Sequence, residues 1–168
     1  MIHVCSLARL HPIVEESGAR HIVTLINDHT KVVRPDCVPF EDHLILGMHD
    51  IAVEMEGFNA PGEEHVHKLI AFVTRWHRRT PLVVHCWAGI SRSTAGAYIA
   101  ACALNPKRDE AAIARALREA SPSATPNARL VAFADHILQR DGRMVTAIEA
   151  IGRGVECGEG TPFRVDLE

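Results

Sequence analysis

Short apolar runs rich in β-branched residues recur in the first half of the chain and predict four strands. Runs of this kind suit the pleated, buried surface of a sheet. The four predicted strands are Ile2–Ser6, His21–Asn27, Leu44–Met48 and Pro81–His85.

Apolar residues at helical spacing predict the remaining elements. The predicted helices are Leu7–Glu16, ending at Gly18, then Glu63–Arg78, Ser91–Leu104, Asp109–Glu119, Thr125 to about Leu138, and Met144–Ile151. The fifth of these is predicted to begin with Thr125 as its N-cap and Pro126 at its first position. Beyond Gly152 the pattern gives way to a glycine-rich segment, which predicts an irregular tail.

The order of these elements favours an α/β fold. Strands come early and alternate with helices, and helices dominate afterwards. This order predicts a small, mostly parallel central sheet flanked by helices on both faces. A length of 168 residues suits a single domain over residues 1–168, with the last ~15 residues as an irregular tail. Ligands bind such sheets beyond the carboxyl ends of the strands, where residues 85–92 are expected to lie.

Composition narrows the classes of partner and compartment. The formal net charge of −3 gives no support for a nucleic-acid partner attracted by bulk charge. No apolar stretch of about 18 residues and no basic leader are visible, so we expect neither a membrane span nor a signal peptide, and a cytoplasmic location. The five cysteines are irregularly spaced and form no CxxC pair, which predicts free thiols in a reducing compartment. No metal site and no cofactor are predicted.

One segment combines residue types that suit anion binding and nucleophilic chemistry. It runs from His85 to Ser93, between a predicted strand and a predicted helix. We expect the backbone N–H groups of residues 87–92 to turn inward as an anion-binding nest, strengthened by the dipole of the following helix. The predicted anion-binding residues are Trp87, Ala88, Gly89, Ile90, Ser91 and Arg92. Residues 86–92 are called the anion loop below.

Several side chains of this segment have predicted roles of their own. Gly89 suits a position of unusual dihedral angles close to a ligand. The planar guanidinium of Arg92 can donate two hydrogen bonds to one oxyanion. Cys86 opens the loop, so the nest favours its thiolate, a nucleophile that needs no separate base. The hydroxyl of Ser93 is expected to steady that thiolate. His85 is either a base for Cys86 or, as we expect, a buried brace, because adjacent strand residues face opposite ways.

The pattern His-Cys-x-x-Gly-x-x-Arg-Ser, from His85 to Ser93, resembles the signature of the protein tyrosine phosphatase superfamily. The short chain resembles its dual-specificity branch, and in particular small bacterial tyrosine phosphatases. The segment Pro122–Asn127 is also similar to that branch, where the resemblance implies that Asn127 helps to hold the catalytic loop. Together, the resemblance and the residues predict a metal-free phosphatase that works through a phosphocysteine intermediate.

The resemblance also implies a general acid, an Asp on a mobile loop after the strand that precedes the catalytic one. Asp50 follows the third predicted strand and is the candidate. Asp42 precedes that strand, at the wrong end of the sheet, and Glu54 and Glu56 are the fallback.

Protein phosphotyrosine is the predicted substrate, and oxyanions such as phosphate, vanadate and sulfate are expected in the anion loop. The resemblance implies lysines inside the loop for a phosphoinositide phosphatase. This loop has instead the non-basic residues Trp87, Ala88, Ile90 and Ser91, which argues against phosphoinositides. A small phosphate ester remains an alternative substrate. An inactive phosphate-binding module, a sulfurtransferase and an arsenate reductase remain alternative functions.

Overall fold

The computed structural model describes residues 1–167 and contains a five-stranded sheet in the order β3-β2-β4-β1-β5. Strands β1 to β4 are parallel to one another, and β5 runs antiparallel to β1. The strands are β1 Ile2–Ser6, β2 His21–Ile26, β3 His43–Gly47, β4 Leu82–Cys86 and β5 Phe163–Val165. The prediction of four early strands in a mostly parallel sheet is confirmed.

The described part of the chain also contains six α-helices. They are α1 Leu10–Ser17, α2 Glu63–Arg75, α3 Arg92–Leu104, α4 Glu110–Ala120, α5 Ala128–Ile137 and α6 Arg143–Ile151. Short 3-10 turns at Leu7–Arg9 and Phe40–Asp42 precede α1 and β3. Within residues 1–167, no helix is long and apolar enough to cross a membrane.

Apolar side chains bury both faces of the sheet. On one face, α1 packs Leu10 and Val14 into a small core with Ile22 and Val83. On the other face lies α3, which is buried along most of its length and is surrounded by α2, α4 and α5. Because α3 is apolar on nearly every side, it fits only between other elements. Helices on both faces are therefore confirmed, and the buried α3 provides a rigid support for the loop that precedes it.

The predicted start of α5 is wrong by two residues. The N-cap is Asn127, whose Oδ1 accepts hydrogen bonds from the backbone N–H groups of Arg129 and Leu130, both at 3.1 Å. The N–H of Thr125 instead donates to the carbonyl of Ile90 in the anion loop, at 2.9 Å. Asn is a strong N-cap residue, and here its tertiary position decides between two plausible caps.

The prediction of an irregular tail beyond Gly152 is also wrong in part. Phe163–Val165 forms β5, which pairs with β1 so that Val165 lies opposite Ile2 and Phe163 opposite Val4. An unpaired strand edge exposes backbone donors and acceptors, and β5 covers that edge of β1. A strand of three residues is too short to show a periodic pattern, so only the pairing reveals it.

A buried polar chain crosses the sheet behind the anion loop. The hydroxyl of Thr24 lies 2.8 Å from Nε2 of His43 and 2.6 Å from Nε2 of His85. Burial lowers the pKa of each imidazole to about 4, and the Arg34 charge contributes to the low pKa of His43. Both rings are therefore neutral near pH 7.

We predict that these two buried histidines make the protein less stable in mild acid. The pKa of each imidazole is about 4 in the folded protein and about 6.5 when unperturbed, so the unfolded state binds more protons between these values. The free energy of unfolding is therefore at its full value above about pH 6.5 and decreases as the pH drops towards 4. Urea unfolding from pH 7 to pH 4 should show a shallower loss for His43→Asn, which cannot be protonated. An equal decrease in the free energy of unfolding with pH for the wild type and His43→Asn would contradict the prediction.

Candidate active site

The sulfur of Cys86 lies at the carboxyl end of β4, beneath the surface. Cys86 is 2% exposed. Its Sγ lies 3.2 Å from the backbone N of Gly89, which donates to it, and 3.1 Å from Oγ of Ser93. Donors directed at a thiolate stabilise its negative charge. The structure thus places Ser93 where the sequence predicts it.

The carbonyl groups of the anion loop face outward, where neighbouring segments hold them. The carbonyl of Trp87 accepts from the N–H of Leu7 at 3.2 Å, and that of Ser91 accepts from the N–H of Asn127 at 3.3 Å. The carbonyl of Ile90 accepts from Thr125, as described above. Because N–H and C=O point to opposite sides of a trans peptide, the N–H groups that follow these carbonyls face the other way, towards the interior of the loop. This orientation is the one that the predicted nest requires, and the binding of an anion there stays a prediction.

Gly89 permits the tight turn of this loop. Its φ is +75°, a conformation that side chains disfavour. A Cβ atom there would lie 2.9 Å from the carbonyl carbon of Cys5 and from the backbone N of Ser6. Any larger residue would push the loop away from β1.

Arg92, at the first position of α3, is 5% exposed, and its guanidinium is fixed from one side. Nη1 donates to Oδ1 of Asn27 and to the carbonyl of Met48, both at 2.7 Å. The buried Nε has no hydrogen-bond partner within residues 1–167. The Nε–Nη2 edge of an arginine can hold two oxygens of one phosphate, so this anchoring leaves the edge that recognises oxyanions unused.

Asp50, the predicted general acid, lies against the anion loop. Its Oδ1 accepts from Oγ of Ser91 at 2.7 Å and from Nδ2 of Asn127 at 2.9 Å. Nδ2 of Asn127 also donates to the carbonyl of Ile51 at 3.2 Å. Both hydrogen bonds to the carboxyl group use Oδ1, which leaves Oδ2 unused. Asn127 thus holds the Asp50 carboxyl group through its side chain and the anion loop through its N–H.

Residues 48–61, here called the acid loop, are fixed at their base. Nδ2 of Asn59 donates to the carbonyl of Gly47 at 2.7 Å, and the backbone N–H groups of His49 and Asn59 donate across the loop. The His49 ring contacts the ring of Phe58, with centroids 5.0 Å apart. His49 therefore closes the loop through its Nδ1.

The alternative acids lie in different surroundings. Glu54 forms an exposed ion pair with Arg129, at 2.7 Å between Oε1 and Nη2. Glu56 is exposed on the acid loop. Asp42 pairs with His21 at 3.3 Å, before β3 and at the opposite end of the sheet. The structure brings only Asp50, of these carboxyl groups, into contact with the anion loop.

His85 faces away from the sulfur of its neighbour. It is fully buried, and its Nε2 contacts Thr24 on the other side of the strand. Its position fits the brace that the sequence favours over a catalytic base.

An open cleft of about 880 Å³ begins at the anion loop and the acid loop. Ser91, Asp50 and Asn127 line one side, and Arg153 and Cys157 of the tail line the other. The sequence analysis assigns no role to the tail, because a glycine-rich segment carries no periodicity or motif. It also misses Asn27, although a polar residue directly after β2 lies at the edge where ligands of parallel sheets bind.

Solved structures share this fold. DUSP15 is 15% identical, with a TM-score of 0.65 over 89% of this chain and 89% of that chain. A PTP-2 phosphatase of Cydia pomonella is 18% identical, with a TM-score of 0.62 over 80% of this chain and 84% of that chain. A mouse protein described as a dual specificity phosphatase, complexed with zinc tungstate, is 18% identical, with a TM-score of 0.61 over 85% and 84% of the two chains.

Sequence comparison leads to the family. No curated protein sequence matches the chain significantly. A family model described as Tc-R-P, a polymorphic toxin system DSP-PTPase phosphatase, matches residues 7–106, which include Asp50 and the whole anion loop. Because this model covers more than half of the chain and the fold agrees with it, the chain belongs to the DSP-PTPase phosphatase family, within the protein tyrosine phosphatase superfamily.

Proposed function

We propose that this protein hydrolyses phosphotyrosine in proteins through a phosphocysteine intermediate, with Cys86 as nucleophile and Asp50 as general acid and base. The observation that carries this proposal is the convergence of three groups on one loop. The buried sulfur, the inward N–H groups and the free edge of Arg92 surround the position where a phosphoryl group binds.

In the first step, the Cys86 thiolate attacks phosphorus in line with the leaving oxygen. An S–P bond forms and the P–O bond to the substrate breaks. Asp50 gives its proton to the leaving oxygen, which departs as the alcohol or phenol. Arg92 and the loop N–H groups stabilise the charge on the three remaining oxygens, in the way an oxyanion hole does.

In the second step, water attacks phosphorus and the S–P bond breaks. Asp50, now a carboxylate, takes a proton from that water, so inorganic phosphate and the thiolate are released. The Ser93 hydroxyl, 3.1 Å from Sγ, stabilises the thiolate as it leaves. The positive field comes from the nest and Arg92, so the proposed steps use no metal ion.

The recessed sulfur supports an aryl phosphate as substrate. Cys86 is 2% exposed, whereas Trp87 beside it is 62% exposed. In phosphotyrosine a whole aromatic ring separates phosphorus from the peptide backbone, so it reaches a recessed nucleophile more easily than phosphoserine. Trp87 offers an exposed ring against which the substrate ring can pack.

Two alternatives have less support. A small phosphate ester would fit the anion loop equally well but would leave the open cleft beside Asp50 largely empty. An inactive phosphate-binding module would need no general acid, whereas Asp50 is held at the loop by two hydrogen bonds to one oxygen.

We predict that a tyrosine-phosphorylated peptide is hydrolysed in excess EDTA, that vanadate inhibits the reaction, and that kcat/KM is about tenfold or more higher than for matched phosphoserine and phosphothreonine peptides. Phosphate release measured for the three peptides and for small sugar phosphates checks the preference. Activity lost in EDTA and restored by a divalent cation would refute the mechanism. Equal activity on every ester would refute the substrate assignment.

We predict that Cys86→Ser loses turnover but still binds the phosphotyrosine peptide. Serine preserves the loop and its N–H groups, but its hydroxyl stays protonated and is a poor nucleophile. Calorimetric titration alongside steady-state rates checks both properties. Arg92→Lys is the companion variant. It should weaken both turnover and peptide binding, because lysine lacks the planar guanidinium that donates two hydrogen bonds to one phosphate. Turnover by Cys86→Ser would show that the nucleophile is another group.

We predict that Asp50→Asn lowers kcat by about 10²–10⁴-fold, the usual contribution of a general acid and base. Asparagine can still accept the hydrogen bonds from Ser91 and Asn127, so the loop keeps its geometry. The loss should shrink for substrates with a leaving group that needs no proton. Glu54→Gln, the same change on the same loop, is the control and should retain nearly full activity. The reverse ranking would transfer the acid role to Glu54.

A further inference from the structure

The pairing of β5 with β1 brings the tail to the anion loop. Because β5 is antiparallel to β1, the residues before Phe163 lie beside the carboxyl end of β1. Ser6, the last residue of β1, is in register with Cys86. Gly160 is buried at this point, and its N–H donates to the carbonyl of Ala88 at 2.9 Å.

The peptide group that Gly160 holds is the one that contacts the nucleophile. The carbonyl of Ala88 and the N–H of Gly89 belong to one peptide unit and point to opposite sides of it. Gly160 holds the carbonyl from outside, while the N–H donates to Sγ of Cys86 at 3.2 Å. The tail is therefore linked to the sulfur through the single rigid peptide group between Ala88 and Gly89.

Contact between the tail and the loop is too close for a side chain. A Cβ atom on Gly160 would lie 2.9 Å from the carbonyl oxygen of Gly89 and 3.4 Å from Cγ1 of Ile90. Distances below about 3.0 Å are not tolerated, so either the tail or the loop would shift. A Cβ on Gly158, two residues earlier in the tail, would have no atom within 4 Å.

A second contact anchors the tail beside Gly160. Oε1 of Glu159 accepts a hydrogen bond from Oγ of Ser6 at 2.5 Å. Ser6 is 1% exposed, and a buried hydroxyl without a partner is unfavourable. Glu159 thus attaches the tail to the strand that runs next to β4.

We propose that Gly160 is a positioning residue that sets the orientation of the Ala88–Gly89 peptide, and with it the readiness of Cys86 to act as a thiolate, while Glu159 holds Gly160 in place. This inference rests on the proposed role of Cys86. The tail is then a working part of the active site.

Replacing Gly160 by alanine neither adds nor removes a titratable side chain near Cys86. His85 is neutral near pH 7, because burial lowers its pKa to about 4. Burial, and then the neighbouring Cys86, raise the pKa of Cys5 to about 12, so Cys5 stays a neutral thiol. The other ionisable side chains of the site and the adjoining tail are those of Arg92, Asp50, Arg153, Glu156 and Glu159, and the substitution replaces none of them. A change in the reactivity of the Cys86 thiol in Gly160→Ala therefore indicates a change in the orientation of the loop backbone.

We predict that Gly160→Ala raises the pH of half-maximal alkylation of Cys86 by about 0.5–1 unit, since it weakens one hydrogen bond to a charged group. We also expect kcat/KM to fall about tenfold, as misplaced catalytic groups do. Iodoacetamide labelling from pH 4 to pH 9, quantified by mass spectrometry of the Cys86 peptide, measures the first effect. The exposed Cys37 in the same sample is the internal reference.

Gly158→Ala is the matched control and should behave as the wild type. Unchanged Cys86 labelling in a folded Gly160→Ala protein would overturn the proposal, as would an equal shift in both variants. The labelling does not depend on turnover. A wild type without phosphatase activity would refute the proposed function, and the labelling would still decide the role of Gly160.

Two variants of Glu159 test the same inference without adding a larger side chain at the loop. Glu159→Ala should raise the alkylation midpoint in the same direction as Gly160→Ala, because the anchor to Ser6 is lost. Glu159→Gln keeps an oxygen that accepts from Ser6, so it should restore the wild-type midpoint. No shift in Glu159→Ala would refute the anchoring role, and equal shifts in both Glu159 variants would assign the effect to charge.

Discussion

The outward orientation of the loop carbonyls is the constraint on which the site depends. A trans peptide cannot direct its N–H inward unless its carbonyl faces outward, and a carbonyl without a partner there would be unfavourable. Leu7, Thr125, Asn127 and Gly160 each supply an N–H to one of these carbonyls. These four contacts hold the inward N–H groups in place, so under the proposed function the binding of an oxyanion requires little reorganisation of the loop.

These four donors come from distant parts of the chain. The parallel sheet brings Leu7 beside β4, the cap of α5 brings Thr125 and Asn127, and β5 brings Gly160. Packing around α3 keeps the anion loop and the helix that follows it in a fixed relation. Stability of the fold and readiness of the site thus depend on the same contacts.

Arg92 and Asp50 show how fixed neighbours orient the two side chains to which we assign catalytic roles. Asn27 and the carbonyl of Met48 hold one nitrogen of the guanidinium, and Ser91 and Asn127 hold one oxygen of the carboxyl group. In each case a second edge or atom stays available for the substrate. Side chains held in this way lose little freedom when the substrate binds.

The sequence by itself determined strands β1 to β4, the buried α3 and the segment from Cys86 to Ser93. Local spacing encodes the periodicity of an element, and a contiguous loop carries all of its own side chains. It also placed Asp50, since order along the chain indicates which end of a parallel sheet a residue occupies. Only the tertiary structure decided that Asn127 caps α5 and that the tail forms β5 and reaches the loop at Gly160. The tail contacts join backbone groups of residues far apart in sequence, and every residue except proline carries the same backbone donor, so no residue pattern predicts them. The cap of α5 is local, but Thr125 and Asn127 are both suitable N-cap residues, and their contacts with the anion loop decide between them.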